Sequence, residues 1–325
     1  MRVLVTGGAG YIGSVVVEEL ISDGHQVVAL DNLAKGHRDA VVDAATFVCA
    51  DVTDAAALRS VMTRHEIEAV VHMAADSLVG ESAVDPAQYY RSNVQGGLVL
   101  LDVMRDCRVE AIAFSSTAAV YGNAVKQPIE ETDPTIPTNP YGETKLAFER
   151  ALHWYSSAYR MRYIALRYFN AAGATERNGE RHQPETHLIP RLLQAAWGTV
   201  PEIAIFGTDY PTRDGTCVRD YIHVVDLAKA HALALRPLFG MAKGSRSYNV
   251  GCGGTGHTVK EVIDAVQRVT GRNIRISFGP RRHGDPPVLV ASPECITREL
   301  GWRAERQDLH LIIESAWRWM RQRMG

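Results

Sequence analysis

Short apolar runs alternate with longer segments of helical periodicity through the first half of the chain. Runs rich in valine and isoleucine predict buried strands, whereas apolar positions recurring every three or four residues predict helices. The predicted strands are Arg2 to Thr6, Val27 to Leu30, Thr46 to Cys49, Ala69 to His72 and Ala111 to Phe114. The predicted helices are Ile12 to Ser22, Asp54 to His65, Pro86 to Cys107 and Tyr141 to Tyr159, with Asp54 and Asp85 as N-caps. This alternation predicts an α/β fold, a Rossmann-type doubly wound parallel sheet.

The pattern loosens after about Asn170, where glycine and proline become more frequent. A short strand is predicted over Ile203 to Phe206, and helices over His223 to Leu238 and Val259 to Thr270. We therefore predict a nucleotide-binding domain over residues 1–169, to which a segment near 222–239 returns, and a smaller C-terminal α/β substrate lobe over residues 170–325. Open α/β sheets bind ligands at the carboxyl ends of their strands, so we expect the site at that edge.

Composition narrows the functional classes. The chain has 325 residues, 46% of them hydrophobic, with 35 Lys and Arg against 37 Asp and Glu. A balanced charge without a basic run argues against a nucleic-acid partner. The chain shows no signal-peptide pattern and no apolar run of membrane-spanning length, so no membrane partner is expected.

The cysteines and histidines argue against disulfides and metal. Five scattered cysteines without a CxxC pair are typical of reduced thiols, which predicts a cytoplasmic protein. The histidines at positions 72, 187, 223 and 283 form no pair at i,i+3 or i,i+4 spacing with each other. Since such spacing is what would place two imidazoles on one helix face, no metal site is predicted.

A glycine-rich turn follows the first predicted strand. Gly8, Gly10 and Gly13 fit G-x-G-x-x-G, and Gly7, Gly10 and Gly13 fit the related G-x-x-G-x-x-G. In this context the missing side chains let backbone amides at a helix N-terminus approach a pyrophosphate, although glycines serving a tight turn alone are the alternative. Asp31, about 20 residues further on, is the acidic group expected on an adenosine ribose, which favours NAD over NADP.

Asp51 and Val52 can be interpreted in more than one way. Asp51 and Val52 end the third predicted strand and are placed to meet an adenine, but Asp51 is equally well an ordinary helix-start aspartate.

Tyr141 and Lys145 stand four residues apart on one predicted helix face. A tyrosine has a pKa of about 10, and a nearby cation lowers it by about 1 to 3 units, which makes a usable general base. An exposed Tyr/Lys pair is the alternative. A hydroxyl from Ser116 or Thr117 follows the fifth strand and is expected beside the same site, unless these residues only form a Ser/Thr turn.

These residues carry a family resemblance over essentially the whole chain. The chain resembles the extended short-chain dehydrogenase/reductases and, within them, the UDP-galactose 4-epimerases. The segments that carry the resemblance are Gly7 to Gly13, Asp31-Asn32, Ser115 to Gly122, Pro140 to Gly142, Lys145, Arg167 to Asn170 and Val218 to Val224. The resemblance implies reversible epimerisation of UDP-glucose and UDP-galactose at C4 of the sugar, through a transient 4-keto sugar and tightly bound NAD.

The resemblance also assigns residues to roles. It implies that Tyr141 is the base, that Thr117 shares its hydrogen bond to the sugar O4, and that Lys145 lowers the tyrosine pKa. The implied NAD contacts are Gly7, Gly10, Tyr11, Ile12, Gly13, Asp31, Asn32, Asp51, Val52, Ala74, Ala75, Asn93, Ser115, Tyr141, Lys145 and Tyr168. The implied substrate contacts are Thr117, Tyr141, Asn170, His187, Leu188, Phe206, Arg219, Arg282, Asp285 and Leu289.

The resemblance separates close relatives by chemistry. Related sugar dehydratases carry an Asp-Glu pair after the threonine, and here Ala118 and Ala119 stand in those places, so elimination of water is not expected. Leu289 is intermediate in size at the position beside the sugar C2 substituent, which leaves a C4 epimerase of UDP-N-acetylglucosamine or a UDP-pentose as the alternative. A non-catalytic NAD-sensing protein is the alternative of another class. The resemblance implies that the helices Pro86 to Cys107 and Tyr141 to Tyr159 form a homodimer interface, although their apolar stripes fit an intramolecular core equally well.

Overall fold

The structure of the protein is a computed structural model that describes residues 1–240, 245–282 and 285–324; His283 lies outside these ranges. The chain forms two compact units. The first comprises Met1–Gly122, Thr135–Tyr168 and Ala228–Tyr248, and the second comprises Asn123–Pro134, Phe169–Leu227 and Asn249–Gly325. Whether these units correspond to a cofactor domain and a substrate lobe stays a prediction.

The strands and helices have these bounds. The strands are β1 (Arg2–Thr6), β2 (Gln26–Asp31), β3 (Thr46–Cys49), β4 (Ala69–His72), β5 (Ala111–Thr117), β6 (Arg162–Tyr168), β7 (Asn170–Ala172), β8 (Ile203–Phe206), β9 (Val218–Arg219), β10 (Tyr221–His223), β11 (Ser245–Val250), β12 (His257–Thr258), β13 (Ile276–Gly279) and β14 (Val288–Leu289). The α-helices are α1 (Tyr11–Ser22), α2 (Ala55–Arg64), α3 (Val79–Val84), α4 (Pro86–Tyr89), α5 (Gly96–Asp106), α6 (Pro140–Tyr159), α7 (Leu188–Trp197), α8 (Val224–Gly240), α9 (Val259–Thr270), α10 (Glu294–Leu300) and α11 (Leu309–Met324).

The largest sheet has seven strands in the order β11-β6-β5-β4-β1-β2-β3. The pairs from β6 to β3 are all parallel. The chain places later strands on one side of β1 and then on the other, and this change in strand order confirms the predicted doubly wound α/β fold class. The five strands predicted in the first half are present, two of them slightly longer than predicted. Two strands of this sheet, β6 and β11, were not predicted, since arginines interrupt both apolar patterns.

The apolar core of the first unit lies against this sheet. It includes Leu4 in β1 and Phe114 in β5, which pack with Leu100 from α5 and Phe148 from α6. The two helices approach closely, because a Cβ on Gly97 of α5 would lie only 2.4 Å from the Phe148 ring. A buried residue of this kind typically contributes about 1.5–3 kcal/mol, so the packing holds α5 and α6 firmly on the sheet.

The predicted helix from Pro86 to Cys107 is wrong as one continuous element. It is divided into α4, a π-helical segment over Tyr90–Gln95, and α5. The predicted N-caps are confirmed: Asp54 accepts two amide hydrogen bonds at the start of α2, and Asp85 accepts one at the start of α4. The π segment contains no glycine or proline, so we attribute it to the tertiary contacts of its one buried side chain, Asn93.

The second unit has its own core. Helices α7, α9 and α11 contribute Leu192, Val262 and Ile312, all fully buried, to one apolar cluster. A capping box begins α9, in which the Thr258 side chain accepts from the Glu261 amide and the Glu261 side chain accepts from the Thr258 amide. Among the described residues, no helix is long and apolar enough to span a bilayer.

Candidate active site

The glycine-rich turn between β1 and α1 is held closed by backbone packing. The Gly7 amide donates to the Leu30 carbonyl oxygen at 2.8 Å, which ties the turn to the end of β2. Gly7 has φ +69, a conformation that favours glycine, and a Cβ at Gly13 would lie 2.0 Å from the Gly7 carbonyl oxygen. Gly7 and Gly13 are therefore required by the backbone itself, whereas a Cβ at Gly10 would meet its nearest neighbour only at 3.4 Å.

The N-terminus of α1 is shaped to receive an anion. Gly10 is its N-cap in an extended conformation and makes no side-chain cap hydrogen bond, and no acidic side chain lies in the first turn. Tyr11 and Ile12 are the first residues of the helix, so their amides lie at the positive end of its dipole. These features fit the pyrophosphate of a dinucleotide.

Asp31 ends β2 beside this turn and is buried. Its Oδ2 accepts from the Ala9 amide at 3.0 Å and its Oδ1 from the Leu33 amide at 2.8 Å. Two backbone donors thus fix the carboxylate next to the glycine turn, where its negative charge fits a ribose hydroxyl and opposes a 2′-phosphate. The placement agrees with a preference for NAD over NADP.

Asn32 and Asp51 meet on the neighbouring strand ends. Asn32 Nδ2 donates to Asp51 Oδ2 at 2.7 Å, and the Thr53 amide and hydroxyl donate to Asp51 Oδ1. Burial works to raise the pKa of Asp51, but hydrogen bonds from Thr53 and Asn32 outweigh it and hold the pKa below its usual value. Val52, which follows, is buried.

Asn93 lies in the π-helical segment and is buried. Its Nδ2 donates to the Asp76 carbonyl oxygen and to Thr144 Oγ1, both at 3.0 Å, while its Oδ1 accepts from the Asp76 amide at 2.8 Å. These bonds connect α6 to the loop after β4, which contains Ala74 and Ala75. A π-helical turn contains more residues than an α-helical turn, and this places Asn93 against the loop. Such π segments occur frequently at functional sites.

The predicted catalytic pair stands at the start of α6. Asn139 caps this helix by accepting from the Gly142 amide at 2.9 Å, and Pro140 occupies its first turn. Tyr141 and Lys145 are therefore one helical turn apart, and both are buried, Lys145 with only 3% exposure. The alternative of an exposed surface pair does not apply. Lys145 Nζ donates to the Ser115 carbonyl oxygen at 2.9 Å.

Thr117 ends β5 and joins the same site. Its hydroxyl hydrogen-bonds to the Tyr141 phenol and favours the ionised form. Its Oγ1 also accepts from the Ala119 amide at 3.1 Å, so a Ser/Thr turn is present as well. The next two residues, Ala118 and Ala119, lie in a short 3₁₀ helix and bring no carboxyl group after the threonine.

The pKa of Tyr141 differs from the sequence prediction. Burial, followed by the neighbouring Tyr168, raises the pKa of the phenol above its ordinary value, although the Thr117 hydrogen bond lowers it. Burial also lowers the pKa of Lys145 to about 7, and Glu149 only partly opposes this effect. The prediction that the Tyr141 pKa lies below its ordinary value is wrong, because desolvation outweighs the hydrogen bond from Thr117.

A buried polar network behind this pair was missed. Glu149 lies one turn beyond Lys145 and accepts from Arg167 in a bidentate ion pair, with Nη2 to Oε2 at 2.6 Å. Arg167 Nη1 donates to the Tyr121 hydroxyl at 2.9 Å, and the Ser116 hydroxyl donates to Glu149. The four-residue spacing of Lys145 and Glu149, which places both on one helix face, was the only sign of this network in the sequence. A solvated ion pair has the same spacing, and only the burial of both residues distinguishes the two cases.

Ser115 and Tyr168 close the same end of the sheet. They lie on the adjacent strands β5 and β6, and Ser115 Oγ donates to the Tyr168 hydroxyl at 2.8 Å. Burial raises the pKa of Tyr168. Both predicted cofactor contacts thus stand beside the carbonyl group that holds Lys145.

Apart from Thr117 and Tyr141, the predicted substrate residues lie in the second unit, and several of them form two clusters. The Arg282 guanidinium stacks on the Phe206 ring, 4.0 Å from its centroid. Leu289 in β14 pairs with Arg219 in β9, and Arg219 Nη2 lies 3.9 Å from Asp285 Oδ1. Arg219 is largely buried and donates to the Pro286 carbonyl oxygen at 2.9 Å, so it is not a solvated surface arginine.

The remaining predicted substrate contacts are Asn170, His187 and Leu188. Asn170 begins β7, where its amide donates to the Asp220 carbonyl oxygen at 2.9 Å. His187 is the N-cap of α7 without a side-chain cap bond, and Leu188 is the first residue of that helix. The His187 ring contacts Glu185 and Glu180.

Asp220 is a buried carboxylate that the sequence did not single out. It accepts from the amides of Cys252, Gly253 and Ala291 at 2.9 to 3.1 Å. Burial raises its pKa although all three amide bonds lower it. It joins β9 to the two segments that follow β11 and β14, and thereby supports the strand that contains Arg219.

Comparisons with known proteins agree with this arrangement. The family model described as the NAD dependent epimerase/dehydratase family matches residues 3–251. A UDP-glucose 4-epimerase of Halalkalibacterium halodurans is 52% identical over 99% of this chain and 96% of its own length.

Solved structures give the same result. A crystal structure of a UDP-glucose 4-epimerase is 51% identical, with a TM-score of 0.96 over 100% of this chain and 99% of the other. A UDP-glucose 4-epimerase from Stenotrophomonas maltophila, solved with NAD and formylated UDP-arabinopyranose, is 42% identical, with a TM-score of 0.94 over 99% and 98%. The resemblance seen in the sequence is confirmed. The chain belongs to the NAD dependent epimerase/dehydratase family.

Proposed function

We propose that the protein interconverts UDP-glucose and UDP-galactose by reversible epimerisation at C4, with bound NAD as its cofactor. The observation that carries the proposal is the buried pair of Tyr141 and Lys145, with the Thr117 hydroxyl on the phenol. The high identity to named UDP-glucose 4-epimerases over nearly the full length supports the same substrate class. A non-catalytic sensor would leave this buried constellation without a use.

The residues around the glycine turn fit NAD. The amides at the start of α1 would bind the pyrophosphate, and Asp31 would bind the adenosine ribose. Asn32, Asp51 and Val52 would border the adenine, and the loop with Ala74 and Ala75 would lie along the cofactor. The chemistry that bound NAD supplies is reversible hydride transfer, which oxidises and then re-reduces C4 of the sugar.

Tyr141 is the group that accepts and returns the proton of the sugar O4-H. As the phenolate, Tyr141 accepts the proton of the sugar O4-H during oxidation and returns it during reduction, while Thr117 shares the hydrogen bond to the same oxygen. Lys145 has a pKa of about 7, so its ammonium and amine forms coexist near neutral pH. When charged, Lys145 stabilises the phenolate by electrostatic attraction. The Ser115 carbonyl oxygen fixes its Nζ for that role.

The second unit supplies groups for the UDP part. Arg219 and Arg282 are suited to the diphosphate because a guanidinium gives paired hydrogen bonds to phosphate oxygens. Phe206 offers an aromatic face for the base, and its stacking on Arg282 orders that side chain. Asn170, His187, Leu188, Asp285 and Leu289 complete the proposed substrate contacts. Holding the substrate by its UDP end allows the hexose to present either face of C4.

The proposal is tested by incubating the purified protein with UDP-galactose and no added cofactor, and following UDP-glucose by chromatography. We expect conversion, with NAD released from the denatured protein. Tyr141→Phe, which removes only the hydroxyl, should reduce turnover by at least about 10³-fold while NAD content stays constant. Failure to convert UDP-galactose even with added NAD would overturn the proposal.

We further propose that the protein is a homodimer that acts in the cytoplasm. Helix α6 carries Trp154, which is 69% exposed, and Tyr159, which is also exposed. Large aromatic residues on the outer face of a helix are typical of an interface. Sedimentation should give twice the chain mass, and Trp154→Glu should shift the protein toward the monomer. All five cysteines are free thiols, as a reducing compartment requires.

A further inference from the structure

Three side chains before α7 converge in the second unit, and a fourth lies beside one of them. Glu180, His182 and His187 each offer one ligand atom, and these atoms all lie within 4.8 Å of one another. Glu185 contacts the same His187 ring. Helical spacing identifies histidine pairs on one helix face, but it gives no sign of a cluster that a loop brings together, so this group was missed.

The nitrogens and oxygens face one another. His182 Nδ1 lies 2.5 Å from Glu180 Oε1, and His187 Nδ1 lies 3.8 Å from Glu180 Oε2 and 2.8 Å from Glu185 Oε1. Glu180 thus directs one oxygen to each imidazole, and the centroids of the two imidazole rings are 5.6 Å apart. Two ligands on one tetrahedral Zn²⁺ lie about 3.4 Å apart, given bonds of about 2.0–2.2 Å. The observed separations bracket that value.

The charges of the cluster favour a divalent cation. The side chains of Glu180 and Glu185 are only 11% and 4% exposed, so two carboxylates are withdrawn from water beside two imidazoles. Buried carboxylates are paired or bind metals, because an isolated buried charge is very costly. A divalent ion balances both carboxylates, and its binding displaces the proton from each imidazole Nδ1.

We propose that Glu180, His182 and His187, with Glu185 beside His187, form a binding site for Zn²⁺ or a chemically similar divalent transition metal. Two imidazole nitrogens with two carboxylate oxygens suit Zn²⁺, whereas Mg²⁺ and Ca²⁺ prefer oxygen ligands alone. The ion would clamp the loop before α7 and fix the His187 ring through Nδ1. Its role is to order this loop, and it takes no part in proton or hydride transfer.

The binding test uses the whole protein with its cofactor, freed of metal by dialysis against EDTA and then against buffer. Zn²⁺ affinity is measured by competition with a chromophoric chelator, and content by elemental analysis. We expect one ion per chain, no competition from Mg²⁺, and an affinity lowered at least about 100-fold in His182→Ala and in Glu180→Gln. The matched control is His153→Ala, at an exposed histidine on α6, which should bind Zn²⁺ unchanged.

Two results of the binding test would contradict the metal site. Zn²⁺ affinity that is the same in His182→Ala, or content far below one ion per chain, would show that the cluster is two hydrogen-bonded His–Glu pairs and overturn the site. If the variants fail to fold, Co²⁺ bound to the unaltered chain decides. Strong visible absorption is expected from a four-coordinate ion with imidazole ligands, and the weak six-coordinate spectrum of Co²⁺ in buffer would refute the proposal.

Discussion

Lys145 Nζ lies 2.9 Å from the carbonyl oxygen of Ser115, to which it donates a hydrogen bond. This bond fixes a lysine that burial has brought to a pKa of about 7, at the end of the strand that also holds Thr117. A strand end, a helix start and a buried cation therefore meet at the Tyr141 phenol. The arrangement determines how each of these residues is expected to respond to substitution.

Thr117→Val should lower kcat by about 10²-fold, because it removes the hydroxyl that shares the hydrogen bond of the Tyr141 phenol. Thr117→Ser keeps a hydroxyl and should stay within about tenfold of the unaltered enzyme. Turnover of UDP-galactose under saturating conditions is the measurement, with bound NAD quantified in each variant. Equal rates for the valine and serine variants would contradict a catalytic role for this hydroxyl.

Asp31→Asn should weaken NAD binding by about tenfold and reduce the ratio of NAD affinity to NADP affinity. The reason is that the charge fixed by the Ala9 and Leu33 amides disappears while the side-chain shape remains. Reconstitution of cofactor-depleted protein with each dinucleotide measures the ratio. Asp43→Asn, at an exposed aspartate, is the control and should leave both affinities unchanged. An unaltered NAD/NADP ratio in Asp31→Asn would refute this role.

Glu149→Ala should reduce the free energy of unfolding by about 3–5 kcal/mol, because it leaves the buried Arg167 guanidinium without its ion-pair partner. Glu143→Ala on the same helix removes a more exposed carboxylate whose distance to Arg150 is 3.8 Å, and should change stability by less than about 1 kcal/mol. Urea unfolding followed by circular dichroism compares the two. Similar small losses for both variants would show that the buried pair contributes nothing measurable.

His72 should make the protein sensitive to acid. Burial, assisted by Lys145, lowers the pKa of His72 to about 3 from its usual 6.5. The folded state therefore binds fewer protons than the unfolded state between these values, so this contribution to stability is complete above pH 6.5 and is lost as pH falls toward 3.

The matched variant is His72→Asn, which retains an acceptor for Thr6 Oγ1, now 2.7 Å from His72 Nδ1. Between pH 7 and about pH 4.5 the unaltered protein should lose about 2 to 3 kcal/mol more stability than this variant. Urea unfolding at both pH values checks the difference. An identical loss in the two proteins would mean that His72 is not the group responsible.

Local signals in the sequence predicted much of the first unit. Apolar runs located β1, β3 and β4 at their observed bounds, and Asp54 marked the start of α2 because an N-cap acts within three residues. The glycine turn was equally readable, since the close approach of Gly13 to Gly7 depends on neighbouring backbone. The π segment inside the predicted helix from Pro86 to Cys107 was not readable, because the contacts of Asn93 with Asp76 and Thr144 involve distant parts of the chain.

The sequence by itself thus determined the alternating fold, the dinucleotide turn and the pairing of Tyr141 with Lys145, all of which depend on spacing along the chain. Only the tertiary structure decided that burial raises the pKa of Tyr141, that Glu149 pairs with Arg167, and that two glutamates meet His182 and His187. The physical reason is that desolvation and charge pairing depend on which side chains the fold excludes from water. That exclusion is a property of the packed chain rather than of any local segment.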